Sequence, residues 1–495
     1  MPSSAAPAHV RLAPVGAASA GVMRRCAVML PLAAVAAGYA VPGSRRAASA
    51  LRLLAAAVPP GAVLLAHVGR AAPPAPCGPP SGGSPQGCTV TLLVPARDEA
   101  PVIAQLVADV AAARSDPMSL TIVDDASVDG TGDLAAAAIE VNALGCGASV
   151  VRLTAPSGSK AAALRAAPVA PGVVVVLDAD ARLTPGFVDR VRAAAGLEGV
   201  AQARRRMLRP AGRSPTGWWR RALAFAQDGE QAVDDRIARA RFALGGAAEL
   251  RGDGMVIGTG VLDALGGWPA DALCEDLELA TRWYLHAGRG VPRPPGLEVW
   301  EQPVLSVRSL LAQRLRWAEG SIRRDLRLVV PAVLDARVPV RMRAEVVGYA
   351  AQALVPWAVL GLALRAVGVG RGAGRGRGAR ASRDGRARTP AASAWRLLAT
   401  VAAGYGTGAV ILAWAALEDG LPGPGANQPG PVRLGSLGRL VQSMAVAAFT
   451  GLWPVVLPVA WIRVARRPGS PHFARTPHVS PAAFSGPEPP RTPRT

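Results

Sequence analysis

The chain has a single lysine, Lys160, although lysine and arginine together number 55 among its 495 residues. Arginine therefore carries nearly all of the positive charge, and with only 34 acidic residues the net charge is +21. Such an excess invites a nucleic-acid reading. Aromatic residues, however, make up only 4% of the chain and are not interleaved with the basic runs, so the stacking platforms of nucleic-acid binders are missing. Arginine-rich loops facing anionic lipid headgroups account for the charge instead. Cysteine is scarce as well. Cys26, Cys77, Cys88, Cys146 and Cys274 are odd in number and scattered, which excludes zinc spacing and a disulfide framework and leaves small buried apolar residues as their role.

Half of the chain is hydrophobic, and much of that half lies in uncharged runs. The runs 346–364, 397–417 and 440–462 each come close to or exceed the roughly 20 residues that a membrane crossing needs. Another, 26–44, follows Arg24 and Arg25 and reads as an uncleaved anchor, since further spans follow it. A shorter run, 53–68, is interrupted by Pro59 and Pro60 and reads as a kinked span or an interfacial helix. Residues 1–70 are thus expected as an N-terminal membrane anchor and 71–88 as a Pro/Gly linker. A folded domain is expected over 89–330 and a second membrane region over 331–465, with a disordered Gly/Arg loop at 370–390. The Pro-rich stretch 466–495 reads as a disordered tail. Charge places the arginine-rich stretch 365–396 and the cluster 463–467 on the cytosolic side, and the nearly uncharged 418–436 outside. If the folded domain is also cytosolic, 346–364 enters and leaves on one side. It is then either re-entrant or an exception to the positive-inside rule.

Between residues 89 and 330 short Val/Ile/Leu runs alternate with Ala-rich helical segments. Strands are predicted over 89–94, 120–123, 149–153 and 173–177, and helices beginning near Ala100, Thr131, Lys160 and Pro185. This alternation predicts an α/β fold, a mostly parallel sheet with helices on both faces.

Acids cluster where the predicted strands end, the edge at which open α/β sheets bind ligands. After the first strand come Pro95, Asp98 and Glu99, suited to a nucleobase or ribose or to capping the next helix. After the second come Asp124 and Asp125, with Asp129 and Gly130 reading as turn and cap. Ser157–Lys160 precede a helix whose N-terminus suits a diphosphate. After the fourth, valine-rich strand come Asp178 and Asp180, an Asp-x-Asp able to hold a hard divalent cation against a diphosphate. Further on, Glu275 and Asp276 open a helix, as ordinary caps or as a general base that takes a proton from an attacking hydroxyl. Last, Gln313, Arg316 and Trp317 share a helix face, a phosphate clamp beside an apolar platform or a membrane-surface helix.

Taken in this order, the Asp-Asp turn, Asp-x-Asp, Glu-Asp and Gln-x-x-Arg-Trp resemble glycosyltransferase family 2 over about Pro95 to Arg324. The flanking membrane runs are similar to the branch that holds cellulose, chitin, hyaluronan and poly-N-acetylglucosamine synthases and membrane glycolipid synthases. The resemblance implies a GT-A fold and inverting transfer from a UDP-sugar, with Mg2+ or Mn2+ as cofactor. The acceptor would be a membrane lipid or a growing glycan, and the catalytic domain would sit at the cytosolic face of the cell membrane. It implies that Pro95, Asp98, Glu99 and Asp125 bound the uridine, that Lys160 lies near the donor, and that Asp178 contacts the nucleotide and Asp180 the metal. Asp276 would be the base, Glu275 its support, and Gln313, Arg316 and Trp317 would hold the diphosphate and line the acceptor entrance. The family usually carries Asn where Asp98 stands. A processive polysaccharide synthase, a non-catalytic nucleotide-sugar-binding protein and a transporter are the competing readings. The uncharged spans, lacking intramembrane acids, weigh against the transporter.

Overall fold

The computed structural model describes residues 19–42, 44–71, 89–210, 217–372, 390–418, 435–468, 478–479 and 484–485. The expected linker at 71–88 and Gly/Arg loop at 370–390 fall, but for their ends, outside the described residues.

The globular domain holds strands β1 (Val90–Ala96), β2 (Met118–Asp124), β3 (Ala148–Arg152), β4 (Val173–Val176) and β5 (Val200–Gln202). Further strands are β6 (Arg204–Met207), β7 (Arg209–Pro210), β8 (Met255–Gly258) and β9 (Glu298–Glu301). A six-stranded sheet runs in the order β3-β2-β1-β4-β8-β5. Strands β1 to β4 are mutually parallel, and β8 alone runs antiparallel to its neighbours β4 and β5. Every residue of β4 is buried, as a strand covered on both faces requires. Successive side chains feed opposite cores: Val173 and Val175 join the cluster on one face, Val174 and Val176 that on the other.

With α1 (Ser19–Tyr39) and α2 (Ser44–Ala71) ahead of the sheet, the domain helices are α3 (Ile103–Ala112), α4 (Thr131–Val141), α5 (Lys160–Arg165), α6 (Phe187–Glu198), α7 (Trp218–Ala243), α8 (Thr259–Ala264) and α9 (Glu275–Ala287). The first core packs the sheet against α3, α4 and α6 through Ile103, Ile139 and Phe187. The second packs it against α5, α8 and α9 through Leu164, Leu262 and Trp283. The predicted strands and helix starts thus fall in the expected α/β arrangement.

Beyond the sheet, α10 (Val307–Arg324) continues through one π-helical turn into α11 (Val330–Leu334). There follow α12 (Val340–Ala351), α13 (Val355–Gly372), α14 (Pro390–Glu418), α15 (Ser436–Thr450) and α16 (Trp453–Arg466). Helix α10 is fixed to the domain by ion pairs: Arg324 to Glu249 at 3.2 Å, and Arg327, just past its end, to Glu278 of α9.

Five helical stretches among the described residues are long and apolar enough to cross a membrane: Gly21–Tyr39, Arg46–Arg70, Val340–Ala366, Trp395–Leu417 and Ser436–Arg466. Four helices form two parallel pairs in close contact. A β-carbon on Gly361 of α13 would stand 2.1 Å from the Val35 carbonyl oxygen of α1, and one on Gly404 of α14 would stand 2.3 Å from that of Ala55 in α2. Glycine is what lets these backbones touch. Ala27 and Ala353 share a cluster near one end of the α1–α13 pair, and Arg365 stacks over Tyr39 at the other. Helix α13 therefore runs alongside α1 and does not turn back on itself. Helix α2, despite Pro59 and Pro60, is a single helix.

The stretch Ser436–Arg466 behaves differently. Gln442 of α15 donates to the Phe225 carbonyl of α7 (2.8 Å), and beyond α16 the Arg467 and Pro468 carbonyls accept from Arg323 of α10. Both of its ends thus rest on the globular domain. The tail expected at 466–495 is held at the places described. Phe484–Ser485 form β10, antiparallel to β7, with Phe484 buried, and Val479 exchanges hydrogen bonds with the Gln302 side chain at 2.8 and 3.1 Å. A Pro-rich composition does not reveal such single-residue pairings.

Candidate active site

The parallel strands deliver their acids to one edge, and β8, running the other way, begins where they end. The β1 and β2 loops lock one another. Asp98 has φ 52°, a left-handed conformation that Asn and Asp tolerate best among side chains, so the departure from Asn here is conformationally neutral. Its carboxylate accepts from the Val128 N–H (2.8 Å), and its own N–H donates to Ser127 Oγ (2.9 Å). The Glu99 N–H donates to Thr131 Oγ1 (2.7 Å). Asp129 accepts from the Ala100 and Thr131 N–H groups, the turn role expected of it. Asp125 is buried and accepts from the Ser157 N–H (2.6 Å), which ties the β2 edge to the loop before α5. Pro95 is half-buried within β1.

Ser159 caps α5, accepting from the Ala162 N–H, and so aims Lys160 inward. Lys160 Nζ lies 2.5 Å from Asp178 Oδ1, 2.7 Å from the Gly252 carbonyl and 3.6 Å from Glu275 Oε1. Burial opposes the charge on Lys160, but the carboxylates of Asp178 and then Glu275 hold its ammonium above the ordinary lysine range. Asp178 is half-buried, and against the cost of desolvation Lys160 keeps its carboxyl below the ordinary value. Glu275 behaves in the opposite way. Burial, with Asp276 adding to it and Lys160 opposing, raises it to about 7. Gly252 leaves open the space between these groups. A β-carbon there would stand 3.4 Å from Lys160 Nζ, 3.7 Å from Asp276 Oδ2 and 4.0 Å from Glu275 Oε1. Asp276, half-buried in the first turn of α9, therefore faces the same small volume as Lys160.

Asp178, Asp253 and Glu301 each bring a carboxylate oxygen within 4.8 Å of the others. Asp253 lies at the N-terminal end of β8 and is 1% exposed. One of its oxygens accepts from the Asp178 N–H (3.1 Å), while the other has no hydrogen-bond partner. Burial, then Asp178 and Glu301, push its carboxyl well above the carboxylate range. Glu301 ends β9 and is paired with Arg205 at 2.6 Å. Asp180 accepts from the Gln302 N–H (2.7 Å). His478, from the tail, sets Nδ1 2.7 Å from Glu99 and Nε2 3.7 Å from Asp180. Against the cost of burial, Asp180 and Glu99 raise this imidazole to about 10, so it is a cation at neutral pH. Oxygen donors with an orphaned, buried carboxylate oxygen among them fit a hard divalent cation such as Mg2+ or Mn2+.

Helix α10 reaches this edge through Gly320, whose missing side chain admits Cys274: a β-carbon there would stand 2.3 Å from Cys274 Sγ. Burial pushes the Cys274 thiol up, with Asp276 adding to the rise and Arg316 opposing it, so Arg316 acts at the start of α9. Gln313, Arg316 and Trp317 are half-buried on this helix. Arg314, in the same motif, points away, pairs with Glu230 and lies over the rings of Trp317, Phe449 and Trp453 at 5.1, 5.0 and 5.3 Å. The structure thus joins Asp178, Lys160, Glu275, Asp276 and the Arg316 turn of α10 in one continuous set. Glu99 and Asp180 stand beside it, linked by His478, while Asp98 serves the loop. Asp253, Glu301, Gln302 and His478 were not legible in the motifs. Reading acids only at strand carboxyl ends passes over β8, whose amino end lies at that edge.

Residues 85–320 match the model of the family described as glycosyltransferase like family 2. Among curated proteins, the chain is similar to the beta-monoglucosyldiacylglycerol synthases of Synechocystis sp. (33% identical over 250 residues, 49% of each chain) and Nostoc sp. (31% identical over 245 residues, 48% of this chain and 50% of the relative). The match spans about half the length of these relatives. Among solved structures, a mannosyltransferase from Pyrobaculum calidifontis, in complex with GDP-Man and Mn2+, superposes with a TM-score of 0.50 at 20% identity. It covers 83% of this chain and 99% of its own, which supports the GT-A fold.

Glu275 generates a pH dependence of stability. Folded, it keeps its proton up to about pH 7, whereas an ordinary glutamate loses it near 4.5. Between these values the folded chain binds more protons than the unfolded one, so this group's contribution falls as pH rises through the window. Glu275→Gln, a neutral mimic, is expected to match the native melting temperature at about pH 4, below both values, and exceed it at about pH 8. A difference independent of pH contradicts the assignment.

Proposed function

We propose that the chain is a membrane-embedded, inverting glycosyltransferase that moves a sugar from a UDP-sugar to a hydroxyl of a membrane lipid. The observation that carries this is the Lys160 bridge between Asp178 and Glu275, with Asp276 facing the same space and α10 leading from it toward the apolar helices. The glycolipid-making relatives support the lipid acceptor, and the acid-lined edge supports a nucleotide diphosphate donor.

In this reading Pro95, Glu99 and Asp125 bound the nucleoside, with Asp98 shaping the loop. Lys160 and Arg316 offset the diphosphate charge from two sides. Asp276 accepts the acceptor hydroxyl proton as that oxygen attacks the sugar, so no covalent intermediate is needed. Glu275, neutral for much of its titration range, keeps a second negative charge from crowding Asp276. Gln313 and Trp317 border the acceptor entrance. A divalent cation, Mg2+ or Mn2+, held by Asp180 and Asp178 with Asp253 and Glu301 behind them, supplies charge neutralisation for the leaving diphosphate.

The packing supports four membrane crossings: α1 outward, α2 back, α13 outward, α14 back. Ser436–Arg466 then turns back at Gly451 and Leu452, with α15 running beside α14, which keeps the domain and both ends of that stretch on one side. This reading sends residues 373–389 to the far side, against the positive-inside expectation.

Incubation of membranes with labelled UDP-sugars is expected to give a labelled lipid. A labelled polymer instead indicates the polysaccharide synthase reading. Asp276→Asn is expected to reduce transfer at least about a thousandfold while nucleotide binding persists; retained turnover rejects Asp276 as base. Asp180→Ala and Asp253→Asn are each expected to raise the half-saturating Mn2+ concentration about tenfold or more, and an unchanged titration removes that residue from the metal site. Ser382→Cys, in a cysteine-free background, is expected to react with an impermeant thiol reagent added outside intact cells. Reaction only after lysis contradicts the four-crossing arrangement.

A further inference from the structure

A cavity of about 420 Å³ opens between α14 and α15. Ala403, Gly406, Val410 and Ile411 line it from α14, and Met444 and Ala447 from α15. Gly406 differs from its neighbours on the helix. Gly404 and Gly408 are pressed against α2, whereas a β-carbon on Gly406 would meet nothing within 4 Å. Helix packing therefore does not require glycine there; its effect is to widen the groove. Met444 is largely exposed, an unbranched and adaptable side chain on the opposite wall.

Helix α14 meets α7 of the globular domain at Ala413 and Ala416, which cluster with Ala232 and Val233. The groove begins beside this contact and spans Ala403 to Ile411, about 12 Å of α14 at ~1.5 Å per residue. The groove also has a direction. Just beyond Ala447 on α15 comes Phe449, which lies under the Arg314 guanidinium (5.0 Å), and Arg314 in turn covers Trp317 (5.1 Å). Gly320 on the same helix packs against Cys274 at the start of α9.

We propose that this groove seats one acyl chain of the acceptor lipid, so that the lipid's hydroxyl headgroup emerges beside Arg314 and Trp317 on the way to Asp276. The inference rests on the lipid-glycosyltransferase reading and adds the part of the acceptor that the chemistry itself does not touch. A diacyl lipid fits where a glycan acceptor would not, because apart from Thr407 the groove is lined by apolar residues. Binding energy from the chain then serves to orient a small headgroup that offers few contacts of its own.

The test uses the full chain in nanodiscs, labelled UDP-glucose, and two acceptors, 1,2-dioleoylglycerol and 1,2-dihexanoylglycerol. Gly406→Leu and Ala447→Leu each fill the groove. Both are expected to raise KM for the dioleoyl acceptor about fivefold or more, the loss of one or two buried methylenes, with donor KM unchanged and KM for the dihexanoyl acceptor within about twofold of native. Native KM values for both acceptors, or equal losses for both, overturn the proposal. A second readout is independent of turnover. Diacylglycerol carrying a diazirine in mid-chain is expected to crosslink within 403–411 or 444–447, and crosslinks scattered over the outer faces of the helices overturn the groove. Crosslinking in the groove without any lipid product keeps the groove and rejects the transferase reading.

Discussion

One half-buried cation orders the site. Lys160 is the chain's only lysine, and it stands between Asp178, which belongs to the donor edge, and Glu275, which belongs to the base. Removing an ammonium from water is costly unless carboxylates surround it, and here two carboxylates and a backbone carbonyl do so. In return the cation holds the carboxyl of Asp178 below its ordinary value against desolvation. The same balance leaves Glu275, farther from Nζ and crowded by Asp276, titrating near neutrality. A separation of titrations among neighbouring acids is how a site assigns different tasks to chemically similar groups.

The sheet makes this arrangement possible by mixing directions. Parallel strands bring Asp125 and Asp178 to the edge from one side, and antiparallel β8 brings Gly252 and Asp253 back to it from the other. Glycine at 252 is what keeps the space between Lys160, Glu275 and Asp276 free. The domain in turn stands on the apolar helices through α7, α10 and α12, whose ion pairs to Glu249, Glu278 and Glu345 fix the height of the site above them. An acceptor hydroxyl arriving from that side meets α10 before it meets the acids.

Much of this was legible in the sequence. Valine-rich 173–176 announced a strand buried on both faces, and the acids after it announced the edge. The Glu275–Asp276 pair opens a helix, as the sequence suggested, and its first turn faces Lys160. Other parts were not legible for physical reasons. Asp253 was hidden because strand direction is a property of the whole sheet and not of the local run. Asp98 was read as a ligand contact, yet its left-handed backbone and its bond to Val128 give it to the loop. The proposed four-crossing arrangement sets the arginines around 365–396 against the positive-inside expectation, because α13 lies alongside α1. His478 sits in a stretch whose composition suggests no structure, and only its contacts with Glu99 and Asp180 place it.

The uniqueness of Lys160 makes the central claim directly measurable. In protein labelled with 15N-lysine, a single side-chain Nζ resonance is expected. If the cation is locked between Asp178 and Glu275 at the donor edge, the resonance stays that of an ammonium beyond the ordinary lysine titration and shifts on addition of UDP with Mn2+. A resonance that titrates at the ordinary value and ignores the nucleotide would contradict the account.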